Sequence, residues 1–458
     1  MLVSKYSAPD FNPYGDESND DADAPWAAPT ARNPLDAVVT LPGSKSQTAR
    51  ELALSALADG PSLLRSPLRS RDSAAMIGAL RALGVGVDER PGRGPEPDLV
   101  VTPADELLGS TTIDCGQAGT VMRFVPPIAT LALGPVVFDA DASARDRPMA
   151  PLLRTLRQLG ADVDDDGRGR MPFTVHGTGR LSGGDAVVDA SDSSQFVSAL
   201  LLAGSRFDDG LRLRHEGARL PSLPHIEMTV AALAARGVAV DSPSPAEWRL
   251  APSSIAGTTV DVEPDLSNAA PFLAAALVAG GSVTVPGWPA RTTQVGAGLA
   301  ELLPRFGARV TVEGDRFTVS AGDGIHGADI DLTTGGELAP TLVALAALAD
   351  SPSELTGIGH IRHHETDRLA ALATELGRLG GHVTELDDGL RIEPRPLTGG
   401  LWRTYHDHRM ATTGALLGLA VEGIEIENVR TTAKTLPGFT TLWLRMLGIA
   451  PSDTTAVA

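Results

Sequence analysis

The sequence predicts an α/β protein of six repeated units, three in each of two domains. Three observations lead there: the length of the chain, a composition rich in aliphatic and poor in aromatic residues, and a helix–glycine–strand pattern that returns six times. At 458 residues the chain exceeds what one hydrophobic core usually holds. Hydrophobic residues make up 42% of it and aromatic ones only 4%, so Ala, Leu and Val must fill the cores, which suits helices packed on sheets.

A leucine-rich helix end, a glycine and a Val-containing strand pattern recur at Leu80–Val87, Leu156–Val163, Leu233–Val240, Leu303–Val310 and Leu376–Val383, with a weaker copy at Leu444–Ile449. Each reads as a helix closed by a left-handed glycine and followed by a strand. The glycines are Gly84, Gly160, Gly237, Gly307, Gly380 and Gly448. A second series of Ala/Leu-rich helical stretches alternates with the first, ending near Gly60, Gly134, Gly204, Gly280, Asp350 and Gly423. A period of roughly 70 to 77 residues gives each unit two helices and several strands. The first helix of each unit is apolar all round and should be buried, whereas the second carries Arg and Glu and should keep a solvated face. Sheets wrapped around buried helices follow.

Composition also excludes functions. A net charge of -19 leaves no broad basic surface for the counterion release that drives nucleic-acid binding. A single cysteine, Cys115, rules out an intramolecular disulfide and a thiolate zinc site, and suits a reducing compartment. No basic region followed by an apolar stretch opens the sequence, and the apolar runs Ala270–Ala279 and Ala339–Ala349 are too short for a bilayer. A soluble, cytoplasmic protein is expected. Residues 1–32 are expected to form a disordered acidic tail, because Ser7–Asn33 is rich in Asp, Pro, Asn and Ala. Among 38 Lys and Arg residues only Lys5, Lys45 and Lys434 are lysines. Arginine is thus the default cation, and each lysine asks for a reason.

The unusual polar residues sit where the buried helices begin, where free N–H groups and the helix dipole favour anions. Gly43-Ser44-Lys45-Ser46 opens the first, with Ser46 and Arg50 one turn apart on one face. A phosphate or carboxylate fits there, and so does a plain serine cap with a surface arginine; the spacing is not that of a Walker loop. Cys115-Gly116-Gln117-Ala118-Gly119-Thr120-Val121-Met122-Arg123 opens the second, its glycines permitting close backbone approach. Arg147, in Asp146-Arg147-Pro148, is either a bidentate clamp or a solvated residue. Asp192-Ser193-Ser194-Gln195 offers two hydroxyls and an amide to a polyol or phosphate, or simply caps the third helix. Asp265, Ser267 and Asn268 open the fourth without a cation and read as structural. Glu337 begins the fifth, where a carboxylate ordinarily just complements the dipole. His360–Arg368 and Tyr405–Met410 hold five of the ten histidines. Zinc competes for them, but the interleaved Arg362, Arg368 and Arg409 repel a metal while attracting phosphate. Lys434, in Thr432–Pro437, closes the series.

Together, Leu41–Ser46 with Arg50, Ala118-Gly119-Thr120 with Arg123, Arg147-Pro148, Ser193-Ser194-Gln195, Glu365-Thr366-Asp367-Arg368, Asp407-His408-Arg409-Met410 and Ala433-Lys434-Thr435 resemble the EPSP synthase family of enolpyruvyl transferases. The order is the same, the spacing similar, and nearly everything after the tail is covered. The resemblance implies a two-domain inside-out α/β barrel of six βαβαββ units. Its domains would be residues 45–262 and residues 33–44 plus 263–458, with the active site in the cleft between them. It also implies transfer of the enolpyruvyl group of phosphoenolpyruvate to the 5-hydroxyl of shikimate 3-phosphate, in the shikimate pathway. The implied enzyme is a monomer without cofactor, metal, nucleic-acid or membrane partner.

By the same resemblance, shikimate 3-phosphate falls to Lys45, Ser46, Arg50, Ser193, Ser194, Gln195, Ser222, Glu337 and His364. Phosphoenolpyruvate falls to Lys45, Gly119, Arg147, Gln195, Arg368, Arg409 and Lys434. The implied catalytic residues are Lys45, Glu337, Glu365, His408 and Lys434. Glu337 would be the hydroxyl base; Glu365 and Lys434 would protonate the methylene carbon and handle phosphate departure, with His408 orienting Glu365. Lys45, Arg50, Arg147, Arg368, Arg409 and Lys434 would offset the roughly six negative charges of two phosphates and two carboxylates. The chain departs from the family's usual residues at Gln117, Phe124, His225, His360 and His364. Histidine at 364, where lysine is common, predicts phosphate binding that weakens as pH rises through neutrality. Two other functions compete. Relatives that use UDP-N-acetylglucosamine carry a loop cysteine, absent from Ala142–Pro148 here. A non-catalytic anion-binding relative, or one that processes RNA ends, is opposed by the intact Lys45, Glu337, Glu365 and Lys434 set and by the acidic charge.

Overall fold

The computed structural model describes residues 24–92 and 96–449. Residues 1–23 of the expected tail lie outside them, but its expected extent to residue 32 is corrected. Trp26–Ala27 is a strand paired antiparallel with Glu425 and Ile426, and Ala28 is buried. The polar average of the tail hides this apolar tripeptide, whose indole packs edge-on against Phe439 at 6.5 Å.

The repeat appears as six sheets around inner helices. Five share one order: a first strand lies parallel to the second, which is antiparallel to the fourth, and the fourth to the third. In the first unit Ser62–Arg65 lies between Thr259–Asp261 and Asp98–Thr102, with Gly86–Arg90 outermost. The sixth sheet is shorter: Gly400–Trp402 and Ile424–Ile426 are joined by Trp26–Ala27, and among the described residues no hairpin follows the helix Phe439–Met446. The ladders are six separate sheets rather than one closed barrel.

All six repeat glycines are left-handed, with φ from +70° to +99°. A side chain there would meet the steric penalty that glycine escapes, so the turn from helix to strand dictates the residue. The inner helices are Lys45–Ala56, Gly119–Ala129, Gln195–Gly204, Leu266–Ala279, Ala339–Ala347 and His408–Gly418, buried on nearly every side. Their alanines let backbones pack closely, and the outer helices Arg71–Ala82, Ala150–Gln158, Leu223–Ala235, Leu299–Arg305, Arg368–Arg378 and Phe439–Met446 cover them from outside.

Two hydrophobic cores result. One runs from Ala49 to Ile255; the other joins Ala28–Leu41 to Leu266–Met446. The chain crosses between them twice, and the crossings touch: Gly43 bridges Pro264, the Ser44 N–H donates to the Glu263 carbonyl at 2.7 Å, and the Asp265 N–H to the Pro42 carbonyl at 2.9 Å. A Cβ on Gly43 would lie 2.2 Å from the Ser66 carbonyl oxygen, so only glycine fits the crossing. Helix starts on either side of it thus face one cleft.

Candidate active site

The manner of capping decides what each helix start offers. Ser44 accepts from the Gln47 N–H, Asp265 from Asn268 and Lys45, and Asp407 from Arg409, so these starts spend N–H groups on their own carboxylates and hydroxyls. Gly119–Ala129 and Gln195–Gly204 have no side-chain cap. The first turn of Gly119–Ala129 keeps N–H groups for a ligand, whereas at Gln195 the N–H donates to Ser193 Oγ at 3.3 Å.

Lys45, Gly119, Arg123, Arg147, Ser193, Gln195, Glu337, His364, Glu365, Arg368, His408, Arg409 and Lys434 line one cleft between the cores. The structure thus gathers every residue named above for phosphoenolpyruvate or catalysis. Ser46 lies in an adjoining recess with His225 and Ser267. Arg50, Ser194 and Ser222 stand outside the lining. Ser194 and Ser222 instead mark the first residue before the helices that carry Gln195 and His225.

Arg50 is drawn into a network between helices. Its guanidinium is 2% exposed and lies 5.3 Å over the Phe124 ring. It donates to the Ser46 carbonyl (2.9 Å), the His225 carbonyl (2.8 Å), Thr229 Oγ1 (2.8 Å) and Ser198 Oγ (3.3 Å). Burial lowers its pKa to about 10, against the pull of Glu337 and Glu51. These bonds pin three helices together. Arg123 lines the cleft, donating to Gln195 Oε1 at 2.8 Å while its Nε remains unpartnered. The signal for Arg123 was its place one turn after Gly119.

On the other wall Arg368 is fully buried and grips Asp407 with Nε (2.7 Å) and Nη2 (3.1 Å), while Nη2 also reaches Glu365 at 2.8 Å. Lys434 is bonded to the other Glu365 oxygen. Burial works to raise the Glu365 pKa, but Lys434, then Arg368, His408 and Arg147 hold it well below the carboxylate range. Burial likewise lowers Lys434, although Glu365 and Asp72 oppose it. His408 makes no hydrogen bond to Glu365: both ring nitrogens are buried without a hydrogen-bond partner, Nδ1 lying 3.6 Å from Asp407 Oδ1, and burial lowers its pKa. Arg368 and Lys434 do the orienting. Glu337 receives Ser267 Oγ at 2.9 Å and Arg409 Nη2 at 3.3 Å on one oxygen and faces His225 Nε2 at 2.7 Å with the other.

His364 accepts from Arg368 Nη1 at 3.0 Å, and burial, then Arg368, hold its pKa well below the ordinary imidazole value. Burial and Arg368 thus work against the positive His364 expected at neutrality. In His364→Gln, titration calorimetry with shikimate 3-phosphate is expected to give the wild-type pH slope from about pH 6.5 to 8.5. A slope that flattens in the variant would restore the original expectation. Among the described residues no group of three or more His, Cys, Asp or Glu side chains is placed to hold a metal, and no helix is long and apolar enough to cross a membrane. Cys115 is buried, and burial, then Asp114 and Asp139, push its thiol pKa up.

Gly119 is fixed by the cleft it opens on. A Cβ there would lie 2.9 Å from Arg123 Nη1 and 3.9 Å from Arg147 Nη1. Both are ends of flexible side chains, so Gly119→Ala should fold normally and displace cations from the ligand. Its KM for phosphoenolpyruvate is expected to rise roughly 10–200-fold with the unfolding midpoint unchanged; an unaltered KM would place that substrate elsewhere. The lining also includes Asp192 and His363, which stood in the segments singled out above without a role, and Asp72, for which the sequence carried no motif. Asp72 sits 3.7 Å from Lys45 Nζ through a contact that only the tertiary fold creates.

Two cores of repeated α/β units, with uncapped helix starts and buried cations meeting in the cleft between them, define a protein that encloses small polyanions. A model of the family EPSP synthase (3-phosphoshikimate 1-carboxyvinyltransferase) matches residues 29–443. A 3-phosphoshikimate 1-carboxyvinyltransferase of Kocuria rhizophila is 54% identical over 429 residues, 92% of this chain and 96% of the relative. The solved EPSP synthase of Acinetobacter baumannii superposes with a TM-score of 0.74 at 25% identity, over 92% of this chain and 97% of that one. The enolpyruvyl transferase NikO of Streptomyces tendae, 20% identical, shares the fold with a TM-score of 0.72 over 92% of this chain and 97% of its own. The chain belongs to the EPSP synthase family.

Proposed function

We propose that this chain transfers the enolpyruvyl group of phosphoenolpyruvate to the 5-hydroxyl of shikimate 3-phosphate and releases phosphate, a step of the shikimate pathway. One observation carries the reading: Lys45, Arg123, Arg147, Arg368, Arg409 and Lys434 converge on a single cleft around the carboxylates Glu337 and Glu365. Two phosphates and two carboxylates bring roughly six negative charges, which six cations can meet in a protein of net charge -19.

Phosphoenolpyruvate is assigned to Lys45, Gly119, Arg147, Gln195, Arg368, Arg409 and Lys434. Shikimate 3-phosphate is assigned to Lys45, Ser46, Arg50, Ser193, Gln195, Glu337 and His364, with Ser194 and Ser222 acting through the helices they precede. In the addition step the 5-hydroxyl oxygen attacks carbon 2 of phosphoenolpyruvate, its proton passing to Glu337 while the methylene carbon gains one from the Glu365–Lys434 pair. Elimination then returns that methyl proton to the Glu365–Lys434 pair as the carbon–phosphate ester bond breaks, and the proton held by Glu337 leaves with phosphate, so both carboxylates are regenerated. The surplus of cation around the empty Glu365 explains its low pKa; the negative charges of the substrate would neutralise that surplus and restore the carboxyl as an acid.

The two cores support domains at residues 45–262 and 33–44 plus 263–458, hinged on the paired crossings, in a protein that works as a cytoplasmic monomer. Phosphate release is the test. Release should require phosphoenolpyruvate with shikimate 3-phosphate; release with UDP-N-acetylglucosamine instead, or with neither acceptor, would overturn the assignment.

A further inference from the structure

Glu337 belongs to the second core, yet the atom nearest its Oε1 comes from the first: His225 Nε2, 2.7 Å away and 112 residues distant in sequence. The imidazole is carried by the helix Leu223–Ala235, whose preceding residue, Ser222, is left-handed at φ +52°. The Ser222 N–H donates to the Thr333 carbonyl at 3.2 Å, on the segment that leads into Glu337. Behind the ring the His225 carbonyl accepts from Arg50 Nη2 at 2.8 Å and Thr229 Oγ1 at 3.0 Å. The ring is therefore anchored in one core and aimed at a carboxylate of the other.

We propose that His225 is the positioning residue of Glu337: it seats this carboxylate where the cores meet, and the charge of its ring decides whether Glu337 can take the proton of the acceptor hydroxyl. The proposal rests on Glu337 being the hydroxyl base. A neutral ring with its proton on Nε2 donates one hydrogen bond to Oε1, and the carboxylate keeps lone pairs for the incoming proton. The acceptor O–H bond breaks, its proton goes to Glu337, and the oxygen forms the bond to carbon 2 of phosphoenolpyruvate. With a protonated ring, Glu337 faces imidazolium on one oxygen and the Arg409 guanidinium on the other, and accepting a proton becomes unfavourable.

Burial works to raise the Glu337 pKa, but His225, then Arg409 and Lys45, already hold it well below the carboxylate range. The other charged or titratable groups facing the pair are Arg50 behind the ring, Asp265 at the second crossing, and His364 and Arg368 on the opposite wall. The pKa of His364 is lowered, chiefly by burial. Asp265, pushed up by burial, is the rival source of any acid limb.

The test compares pH profiles of kcat for wild type, His225→Gln and His225→Phe from about pH 5.5 to 9. Glutamine keeps a donor but cannot ionise, so kcat should fall by less than about tenfold at the alkaline end while the acid limb moves down by about one pH unit or more. Phenylalanine keeps bulk without a donor, so kcat should fall by about 10–100-fold across the range with the KM for phosphoenolpyruvate nearly unchanged. An acid limb unmoved in His225→Gln, or equal kcat in the two variants, overturns the proposal and leaves the assigned reaction intact. Wild-type protein that releases no phosphate at any pH overturns both. Should either variant fail to fold by circular dichroism, His225→Asn, which also keeps a donor, takes the place of glutamine with the same criteria.

Discussion

Replacing Glu337 by alanine is expected to lower kcat by roughly 10²–10⁴-fold. The half-buried carboxylate sits among Ser267, Arg409 and His225 in the cleft, with both oxygens engaged. Its loss removes the nearest acceptor for the hydroxyl proton. It also frees Arg409 and leaves the cleft one negative charge poorer, so binding of two anionic substrates should hold or tighten. The expected signature is a fall in kcat with KM values equal or lower, measured by phosphate release. Full turnover with unchanged affinity would remove Glu337 from the role of base.

A second large effect is expected far from the chemistry. Arg236, 1% exposed, follows the helix Leu223–Ala235 and donates from Nε and Nη2 to Glu51 Oε2 at 3.0 and 2.7 Å. It also reaches Ser55 Oγ (2.9 Å), Ser62 Oγ (3.1 Å) and the Ala256 carbonyl (3.1 Å). Glu51 is itself buried, and burial raises its pKa even with Arg236 opposing. Arg236→Met would strand that carboxylate and three oxygen acceptors, costing about 3–5 kcal/mol. The unfolding midpoint of the first core should fall by roughly 6–20 °C. Activity per folded molecule at low temperature should survive, since Arg236 does not line the cleft. Changing Glu51 to Met as well should recover most of the loss, because the cost is that of one unpaired charge. A double variant no more stable than Arg236→Met would refute that account.

Much of the molecule was legible because its signals are local. The six glycines that end outer helices could be read from a single turn of chain, and each takes the left-handed conformation. Lysine at 45 and 434, in a chain that otherwise uses arginine, marked two walls of one cleft. What failed has a common cause. An inner helix such as Lys45–Ala56 is buried on nearly every side, so no apolar stripe reveals its rotation. Sequence placed Ser46 and Arg50 on one face but could not say that the guanidinium turns inward to Phe124 while Arg123, on the next inner helix, turns to the cleft. His408 likewise looked ready to orient Glu365, whereas Arg368 and Lys434 reach it first.

The sequence by itself determined the architecture and the chemical inventory: repeated α/β units, buried helices with polar starts, and the cations and carboxylates that serve polyanions. Backbone turns, periodicity and residue type act over a few positions, and such information survives in one dimension. Only the tertiary structure decided the assignments between elements: the crossings that touch at Gly43 and Pro264, the burial of Arg50, the Lys45–Asp72 contact and the His225–Glu337 pair. These join residues far apart in the chain, where distance, desolvation and competing partners, rather than local pattern, determine which charge meets which.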